Sequence, residues 1–600
     1  MNLRPEKDEL CVIIGAGPAG LTAAHELARL GIRSVVLEKD NLVGGISRTI
    51  NYKGYRGDIG GHRFFTKVRV VRELWEEIMG DDFLVRPRLS RIYYNNRFFD
   101  YPLRIGNTLK GLGLVESSLT VLSYIQARLR PEHEEKTFEQ WVSNRFGRRL
   151  FRTFFKSYTE KVWGIPSSEI DADWARQRIK NLDFMAAVRS ALVGAKTQGS
   201  KLVPSLIDQF HYPRLGSGMM WERLQAKLAD KHIETRLDHL VVKVHHTGDR
   251  VTALTTRDRQ GHEIRIAGDH FISSMPLRDL IHALDPPPPK DVLDAADRLR
   301  YRDFITVMLI VDAPEIFPDN WIYVHSPEVK VGRIQNFKNW SPEMVPDPSK
   351  TSLGLEYFAQ EGDELWTMSD DRLIDLARSE CAKLRFAAAE KVMDGAVVRM
   401  PKAYPVYDSK HRESVEAIRN WIGTLKNLYS VGRNGQHRYN NMDHSMTSAM
   451  GAAQVVQGAE IDVWDVGLDK SYLEGQETVG DVDREAAITD EVIRDTFARY
   501  DAPAMGAALG LVAAVVLFVM SMVLILKGGE PIGPSLMLLS NYLPGYRMTP
   551  VGVVIGALQA GGWAFVFGFL LAHSINLVVG MIEGWLLRRI EIVRMMEDGD

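Results

Sequence analysis

Cysteine is scarce in this chain, and neither sign of charge is in excess. Only Cys11 and Cys381 occur among the 600 residues, and the net charge is −3. Two cysteines cannot build a disulfide framework, and the scattered histidines give no clustered spacing of metal ligands. A near-neutral chain also lacks the basic surface that nucleic acid requires. We therefore predict a protein in contact with a reducing compartment, with no metal site and no nucleic-acid partner.

Charged residues are also missing from two long apolar runs near the carboxyl terminus, residues 502–526 and residues 551–572. At about 1.5 Å per residue, a helix of either length crosses a bilayer core of about 30 Å. The segment between the runs is rich in glycine and proline and is typical of a turn. The sequence therefore predicts a transmembrane helical hairpin, with a buried apolar hairpin as the alternative. The amino terminus has no apolar core and predicts no signal peptide.

Basic residues set the expected orientation of this hairpin. They flank it at Arg494, Arg499, Arg588, Arg589 and Arg594, whereas the loop between the runs carries only Lys527 and Arg547. The positive-inside rule then predicts a multi-pass inner-membrane protein with both termini and the globular part on the cytoplasmic side, and with the lipid bilayer as a partner. Beyond residue 572, apolar residues and arginines recur at helical spacing. They indicate either a basic amphipathic tail on the inner leaflet or an extension of the second span. The G-x-x-x-G spacing in both runs is compatible with close packing inside the hairpin, with a homodimer, or with chance.

The amino-terminal segment has a different character, because it carries glycines at a regular spacing. A short apolar run is followed by Gly15, Gly17 and Gly20 in the pattern G-x-G-x-x-G, then by a helical segment and by a second apolar run that ends at Glu38. In this pattern the glycines permit the turn, the approach of a pyrophosphate and close helix packing, and the acid accepts hydrogen bonds from ribose hydroxyls. The sequence predicts a dinucleotide-binding βαβ unit. An ordinary βαβ unit with glycine turns is the alternative.

Two further glycine pairs indicate which dinucleotide is bound. Gly44 and Gly45 come just after the acidic residue, and Gly60 and Gly61 follow in the segment GYRGDIGGHRFFTK. Glycine pairs let the backbone pass close to a bulky ligand, although surface turns would show the same residues. The arrangement resembles flavoproteins of the amine oxidase and protoporphyrinogen oxidase superfamily, which includes UDP-galactopyranose mutase. This resemblance implies a tightly bound FAD.

The resemblance to UDP-galactopyranose mutase rests on the glycine turn with its VGG and on four more segments. They are GGHRFFTK (60–67), SYTEKVWG (157–164), LRYRDF (299–304) and GRNGQHRYNNMDHSM (432–446). All occur in the same order as in that family. SYTEKVWG and GRNGQHRYNNMDHSM are the segments most specific to it. This chain departs from the family in three ways. Asn441 stands where the family has an acidic residue, and the family's uridine-binding residues have no clear match here. Members of the family are also shorter and soluble. The nucleotide part of the substrate is therefore left open.

The resemblance also implies roles for individual residues. Arg302 would bind a sugar phosphate, and His62 would lie against the flavin. Tyr158 and Trp163 would line the sugar pocket, with Tyr404 and Tyr407 as further candidates. A structural ion pair for Arg302, a core position for His62 and plain packing of the aromatic rings are the alternatives. The glycine pattern and the resemblance together assign these residues to FAD: Gly15, Gly17, Ala19, Gly20, Glu38, Lys39, Gly44, Gly45, Ile46, Ser47, Gly60, Gly61, His62, Gly432, Arg433, Tyr439, Asn441, Met442 and Asp443.

These segments predict an α/β protein with a discontinuous, Rossmann-like FAD-binding domain. We assign to that domain residues 1–103, 204–285 and 420–470. A helical insertion (104–203) and an antiparallel sheet (286–419) form the substrate domain, and a linker (471–501) leads to the two transmembrane helices and basic tail (502–600). Apolar and polar residues alternate along residues 89–103, and the chain is expected to turn at Asn95 and Asn96. This pattern predicts a β-hairpin.

The activity implied by the resemblance is that of a pyranose–furanose mutase. In that family, N5 of reduced FAD attacks the anomeric carbon of a sugar while phosphate departs, and no electrons are consumed overall. The apolar hairpin suggests a lipid-linked substrate such as a polyprenyl-phosphate glycan, and a nucleotide-linked sugar is the other carrier. Two alternatives stay open. They are an FAD-dependent oxidase or desaturase acting on an apolar membrane substrate, and a non-catalytic FAD-bearing scaffold. The sequence indicates neither the sugar nor the physiological reductant.

Overall fold

The computed structural model describes residues 9–175, 209–465 and 500–597, apart from positions 102, 104, 133, 173, 530 and 531. The predicted linker, the second part of the helical insertion, Arg494 and Arg499 lie outside these residues. So do the side chains of Arg588, Arg589 and Arg594. By their internal contacts, residues 1–477 and residues 478–600 form two compact units.

The first unit contains both strands and helices, and several of its strands follow one another directly. In chain order the strands are β1 (Leu10–Ile14), β2 (Arg33–Leu37), β3 (Thr49–Tyr52), β4 (Tyr55–Asp58), β5 (Phe83–Pro87), β6 (Ser90–Tyr94), β7 (Arg97–Asp100), β8 (Gln209–Pro213), β9 (Glu234–Arg236), β10 (Leu240–Thr247), β11 (Arg250–Arg257), β12 (Glu263–Ala267), β13 (His270–Ser273), β14 (Leu284–Asp285), β15 (Tyr301–Val311), β16 (Trp321–Val324), β17 (Arg333–Asn336), β18 (Thr351–Ala359), β19 (Val392–Pro405) and β20 (Leu428–Ser430).

The helices of seven or more residues are, in the same order, α1 (Pro18–Arg29), α2 (Arg69–Met79), α3 (Ile105–Leu112), α4 (Leu114–Leu129), α5 (Phe138–Phe146), α6 (Ser157–Trp163), α7 (Gly218–Asp230), α8 (Leu277–Ala283), α9 (Lys290–Arg298), α10 (Asp370–Lys383), α11 (His411–Ile422), α12 (Met442–Val456), α13 (Ala502–Lys527) and α14 (Pro550–Glu597). A π-helical segment, Phe151–Lys156, precedes α6.

A five-stranded parallel sheet, in the order β20-β13-β1-β2-β9, holds the glycine turn. Its strands come from widely separated parts of the chain, and the predicted βαβ unit is its β1-α1-β2 part. Strand β1 lies in the middle and is almost completely buried. Because all strands run the same way, their carboxyl ends share one edge, which is where ligands bind in open α/β sheets.

A seven-stranded sheet, β19-β15-β18-β17-β16-β6-β7, forms the second layer and is antiparallel except between β16 and β6. The predicted hairpin is confirmed as β6 and β7, with Asn95 and Asn96 both at positive φ, 49° and 57°. Two successive positive φ angles are the requirement of a type I′ turn. The structure joins this hairpin to strands from residues 301–405.

The second unit contains two helices that are long and apolar enough to cross a membrane, Ala502–Lys527 and Pro550–Val578 of α14. Most of their side chains are exposed. They pack through glycine: an added Cβ at Gly506 would lie 2.8 Å from the Phe565 carbonyl oxygen, and one at Gly510 would lie 2.7 Å from the Gly561 oxygen. The first G-x-x-x-G pair therefore lies at the contact inside the hairpin. Helix α14 continues to Glu597 without a break, as an extension of the second span would.

Candidate functional site

The glycine turn has the geometry that its spacing predicts. Gly15 has φ +96°, a conformation that side chains rarely adopt, and it leads from β1 into α1. An added Cβ at Gly20 would lie 1.8 Å from the Gly15 carbonyl oxygen, so helix and strand approach as closely as only glycine allows. Gly17 caps α1 without a side-chain hydrogen bond. Pro18 at the first helical position has no N–H, so the next N–H groups, those of Ala19 and Gly20, are the ones available to an anion such as pyrophosphate.

Glu38 follows β2 and lies beside the turn. Its Oε2 accepts a hydrogen bond from the Ala16 N–H at 2.7 Å, and its Oε1 accepts one from the Asp40 N–H at 3.0 Å. Burial raises the pKa of this carboxyl group, whereas these two hydrogen bonds lower it by a smaller amount. Each carboxylate oxygen can accept more than one hydrogen bond, so the ribose hydroxyls of a bound dinucleotide can still reach Glu38.

A cavity of about 650 Å³ runs from the glycine turn to the second layer. This volume falls within the range of ligand pockets, about 300–1,000 Å³. The predicted residues that line it are Gly15, Gly17, Ala19, Glu38, Lys39, Gly45, Ile46, Ser47, Gly60, Gly61, His62, Tyr404, Gly432, Arg433, Tyr439, Asn441, Met442 and Asp443. The amino-terminal and carboxy-terminal motifs thus meet around one space, although His62 and Gly432 are 370 positions apart in the chain.

Two of the predicted cofactor residues lie behind this lining. Gly20 packs under the turn, and Gly44 has φ +98° and donates its N–H to the Ala16 carbonyl at 2.8 Å. An added Cβ at Gly44 would lie 3.0 Å from Trp221 Cδ1. Both glycines shape the backbone of the site, and a direct contact with cofactor is expected only from their neighbours.

His62 lies at the far end of the cavity, within reach of the charges of two arginines. Its Nε2 donates to the Ile59 carbonyl at 2.7 Å, which leaves Nδ1 as the acceptor of a neutral ring. Burial lowers the pKa of His62 to about 4, and the charges of Arg433 and Arg333 contribute. Arg433 donates to the carbonyls of Asn440 and Ala403. His62 is therefore a neutral acceptor beside fixed positive charge.

The sequence reasoning missed Arg333, which also lines the cavity. Its Nε pairs with Glu356 Oε2 at 2.5 Å, opposite it on the next strand, and Gln335 donates to the other carboxylate oxygen at 2.6 Å. Burial opposes the charge of Arg333, yet Glu356 holds its pKa well above the ordinary value. An acidic residue inside the apolar strand TSLGLEYFA was the available signal, because a buried carboxylate needs a cationic partner.

An aromatic wall borders the same end. Tyr404 and Tyr439 line the cavity and stack, with ring centroids 5.6 Å apart. Trp163 lies behind them, edge-on at 6.0 Å from Tyr439. Tyr407 also lies behind, where its hydroxyl accepts the Tyr439 N–H at 2.7 Å. Tyr158 stacks on His325 at 4.6 Å outside the lining, and burial raises its pKa well above the usual range.

Arg302 does not line the cavity but lies next to this wall. It pairs in register with Tyr404 on the neighbouring strand. Its guanidinium donates to the carbonyls of Phe358 at 2.9 Å and Val162 at 3.3 Å, and it lies against Gly164. Burial lowers its pKa. Within the described ranges no carboxylate forms an ion pair with Arg302, so the structural ion pair considered above is not formed there.

The cavity has further lining residues that no motif indicated. Strand β10 carries a bulge between Val241 and Lys243, which leaves Val242 at the cavity without a partner residue in the β11 register. A bulged residue has free backbone groups, which suit the edge of an adenine ring. Asp279 and Lys402 also line the cavity and form an ion pair at 2.6 Å. With the helix amino terminus and Glu38, Val242 fits the nucleotide half of FAD.

Comparison with known proteins agrees with this geometry. The sequence pattern of the flavin containing amine oxidoreductases matches residues 18–456. An L-amino-acid oxidase from Sistrurus catenatus edwardsii is 36% identical over 123 residues, which are 18% of this chain and 24% of the relative. A 1-hydroxycarotenoid 3,4-desaturase from Flavobacterium sp. (strain P99-3) is 26% identical over 266 residues, 41% of this chain and 53% of the relative. The chain thus spans only part of the length of these curated relatives.

Solved structures show the same fold. Reduced UDP-galactopyranose mutase superposes with a TM-score of 0.65 at 22% identity, covering 75% of this chain and 94% of the other. Putrescine oxidase bound to putrescine superposes with a TM-score of 0.51 at 16% identity, covering 75% and 99%. The glycine turn, Glu38 and the cavity all fit FAD, and the family pattern matches most of the chain. The chain belongs to the family of flavin containing amine oxidoreductases, and its cofactor is FAD.

Proposed function

We propose that this protein is a membrane-anchored, flavin-dependent pyranose–furanose mutase that acts on a lipid-linked or nucleotide-linked sugar. The observation that carries the proposal is Arg302. Its guanidinium is partly buried beside the aromatic wall, and its hydrogen bonds in the described part of the chain go to backbone carbonyls. The charges of Asp363 and Asp303 favour the guanidinium from a distance but form no ion pair with it in the described part of the chain, and burial still lowers its pKa. A phosphate would supply a direct partner through the planar guanidinium fork.

The other residues at this end suit a sugar phosphate as well. Tyr404 and Tyr439 offer stacked rings against which a sugar can lie. Neutral His62 offers an acceptor to a hydroxyl or to a flavin N–H, and the surrounding arginines disfavour its protonation. When bound in its reduced form, FAD would supply a nucleophilic N5 for the anomeric carbon. The chain's own part is to hold the phosphate, orient the ring and exclude water.

The carrier of the sugar is proposed from the second unit. Its two apolar helices support anchorage in a membrane, and the distribution of basic residues supports a cytoplasmic position of the flavin unit at the inner membrane. An enzyme held at a leaflet is suited to a substrate held in that leaflet, such as a polyprenyl-phosphate sugar. Removal of residues 502–600 should therefore impair turnover of a long-chain polyprenyl-phosphate sugar more than that of a short-chain analogue. Equal impairment of both would contradict the lipid carrier.

The activity itself is tested with full-length protein whose FAD has been chemically reduced under anaerobic conditions. We expect interconversion of ring forms of UDP-galactose or polyprenyl-phosphate galactose, followed by NMR, with no net consumption of reductant. Arg302→Met should lower kcat/KM by about 100-fold, and Arg302→Lys by less, since the loss of a charge-assisted pair to phosphate is worth about 2–3 kcal/mol. Arg300→Met, an exposed neighbour, is the matched control and should change little.

The second candidate is an oxidoreductase acting on an apolar membrane substrate. The match to the hydroxycarotenoid desaturase, which extends over 41% of this chain, favours it. Stoichiometric consumption of oxygen or quinone with such a substrate, together with no ring interconversion of any sugar tested, would replace the mutase by this activity. FAD binding without either turnover would leave a scaffold role.

A further inference from the structure

Helix α4 of the flavin unit has its polar and apolar faces reversed. Among the described side chains of α4, the buried ones are Ser117, Thr120 and Tyr124. Large apolar side chains point outward instead, with Val115 76%, Leu122 61% and Leu129 77% exposed. A helix on the surface of a protein in water normally buries its apolar stripe. The surroundings of α4 are therefore not water alone.

The inward face is fixed by specific contacts, so this orientation is built into the fold. The Arg149 N–H donates to Ser123 Oγ at 3.1 Å, and Arg149 pairs with Glu116 at 2.5 Å. Gly147 lies so close to α4 that an added Cβ would be 2.7 Å from the Tyr124 nitrogen. Rotation of α4 to bury its leucines would break these contacts and would place Ser117 and Thr120 in water.

The outward face forms one continuous stripe. Val115, Leu119, Leu122, Ile125 and Leu129 are exposed and follow one another at intervals of three or four residues. Exposed Arg128 and Arg130 border the stripe at its carboxyl end. A contiguous apolar patch with a basic rim is the pattern of a helix that lies in the interface of an anionic membrane.

We propose that the outward face of α4 inserts into a lipid leaflet, so that the flavin unit makes its own contact with the membrane in addition to the apolar helices of the second unit. The occupant is assigned as lipid because the same chain carries two helices apolar enough to cross a bilayer, which tether the flavin unit near one. The arginines supply the charge complementarity to anionic headgroups. This inference rests on the membrane anchorage in the proposed function and goes beyond it, and it does not depend on the chemistry of the sugar.

Contact between α4 and a leaflet would also orient the cavity relative to the membrane. Helix α4 packs against α5 and the segment Arg148–Leu150, which continues through Phe151–Lys156 into α6. Helix α6 carries Tyr158 and Trp163, and Trp163 supports the aromatic wall of the cavity. A leaflet that holds α4 would thus hold the helices behind that wall at a fixed depth relative to the lipid.

The test uses the full-length protein in vesicles of phosphatidylcholine and phosphatidylglycerol. Cys11 and Cys381 are both buried, so a new surface cysteine can be labelled selectively. Leu122→Cys is labelled with an environment-sensitive fluorophore, and lipids with a spin label on the acyl chain serve as quenchers. Ile264→Cys on β12, an exposed apolar residue of the same unit, is the matched control. Neither position has a side chain packed in the core, so both variants should fold.

We expect blue-shifted emission at position 122 and at least about twofold stronger quenching there than at position 264, as for a helix about 5–10 Å below the headgroups. Replacement of Arg128 and Arg130 by glutamine should reduce the quenching in anionic vesicles. Equal quenching at both positions, or none at position 122, would overturn the proposal. A blue shift without quenching by lipid would also overturn it, because a second protein surface would then cover the stripe.

Discussion

Glycine brings backbones together in both units of this protein, but the surroundings differ. At the amino-terminal turn, Gly20 lets α1 approach β1, and the apolar residues of β1 lie in the core. In the second unit, Gly510 lets α13 approach α14, while apolar residues such as Leu511 and Leu526 point outward.

The two units therefore hold their helices in place in different ways. In the first unit the hydrophobic effect drives burial, and glycine is needed only where the backbone must turn or admit a ligand. Lipid is as apolar as leucine, so helices inside a membrane gain nothing by burying leucine and associate through close packing of small residues. The same device therefore makes a ligand site in one unit and a helix contact in the other.

The largest effect should come from Gly20→Ala. The added methyl group would overlap the Gly15 carbonyl oxygen, which cannot move without breaking the turn, so we expect a loss of about 4 kcal/mol or more in the free energy of unfolding. Absorbance of bound flavin near the visible maximum and urea unfolding measure the two consequences. Gly17→Ala is the matched variant, because its nearest neighbour would be Gly45 Cα at 3.8 Å. It should fold normally but bind FAD weakly, and normal FAD binding by either variant would contradict the assigned turn.

The two units also differ in buried charge. The first unit contains the buried ion pair of Arg333 with Glu356, whereas α13 in the second unit has no charged residue before Lys527. Glu356→Gln would leave the Arg333 guanidinium buried without its counter-ion, at an expected cost of about 3 kcal/mol. The double variant Arg333→Met, Glu356→Gln should recover part of this loss in urea unfolding. A double variant less stable than Glu356→Gln would show that Arg333 is not neutralised through Glu356.

In the second unit, Gly510→Leu should separate α13 from α14 at their closest point, where an added Cβ would lie 2.7 Å from the Gly561 oxygen. We expect a loss of about 2 kcal/mol, comparable to overpacking in a core. Gly562→Leu is the control, since nothing lies within 4 Å of an added Cβ there. Thermal unfolding in detergent and energy transfer between labels on the two helices measure the effect. Equal behaviour of the two variants would show that the hairpin does not pack through Gly510.

The smallest effect concerns pH and His62. Its pKa in the folded protein, about 4, lies below the ordinary value of 6.5, so the unfolded chain takes up this proton first as pH falls. The contribution of neutral His62 to stability is therefore complete above about pH 6.5 and is lost as pH falls toward 4, by about 1 kcal/mol for this partly exposed group. His62→Gln should flatten the pH dependence of urea unfolding of the FAD-free protein between these values. An unchanged slope in the variant would contradict the assignment.

Some of the site could be predicted because its signals are local. The turn, the hairpin at Asn95 and Asn96 and the two apolar helices each follow from glycine, asparagine or hydrophobic residues a few positions apart. Gly432 to Asp443 could be assigned only through a resemblance. Arg333 was missed because its importance depends on Glu356, 23 positions away and on the next strand.

The amino-acid sequence by itself determined the dinucleotide turn, the FAD cofactor and the two apolar helices, because each depends on spacing along the chain. The tertiary structure alone decided which predicted residues face the cavity. The packing of strands, helices and loops brought Tyr404 and Tyr439 to its surface and left Trp163, Tyr407 and Arg302 behind it. It also decided that the leucines of α4 point outward, since this depends on which face packs against Arg149 and Gly147. The reason is that a helix or strand pattern fixes which residues share a face, whereas only packing fixes what that face meets.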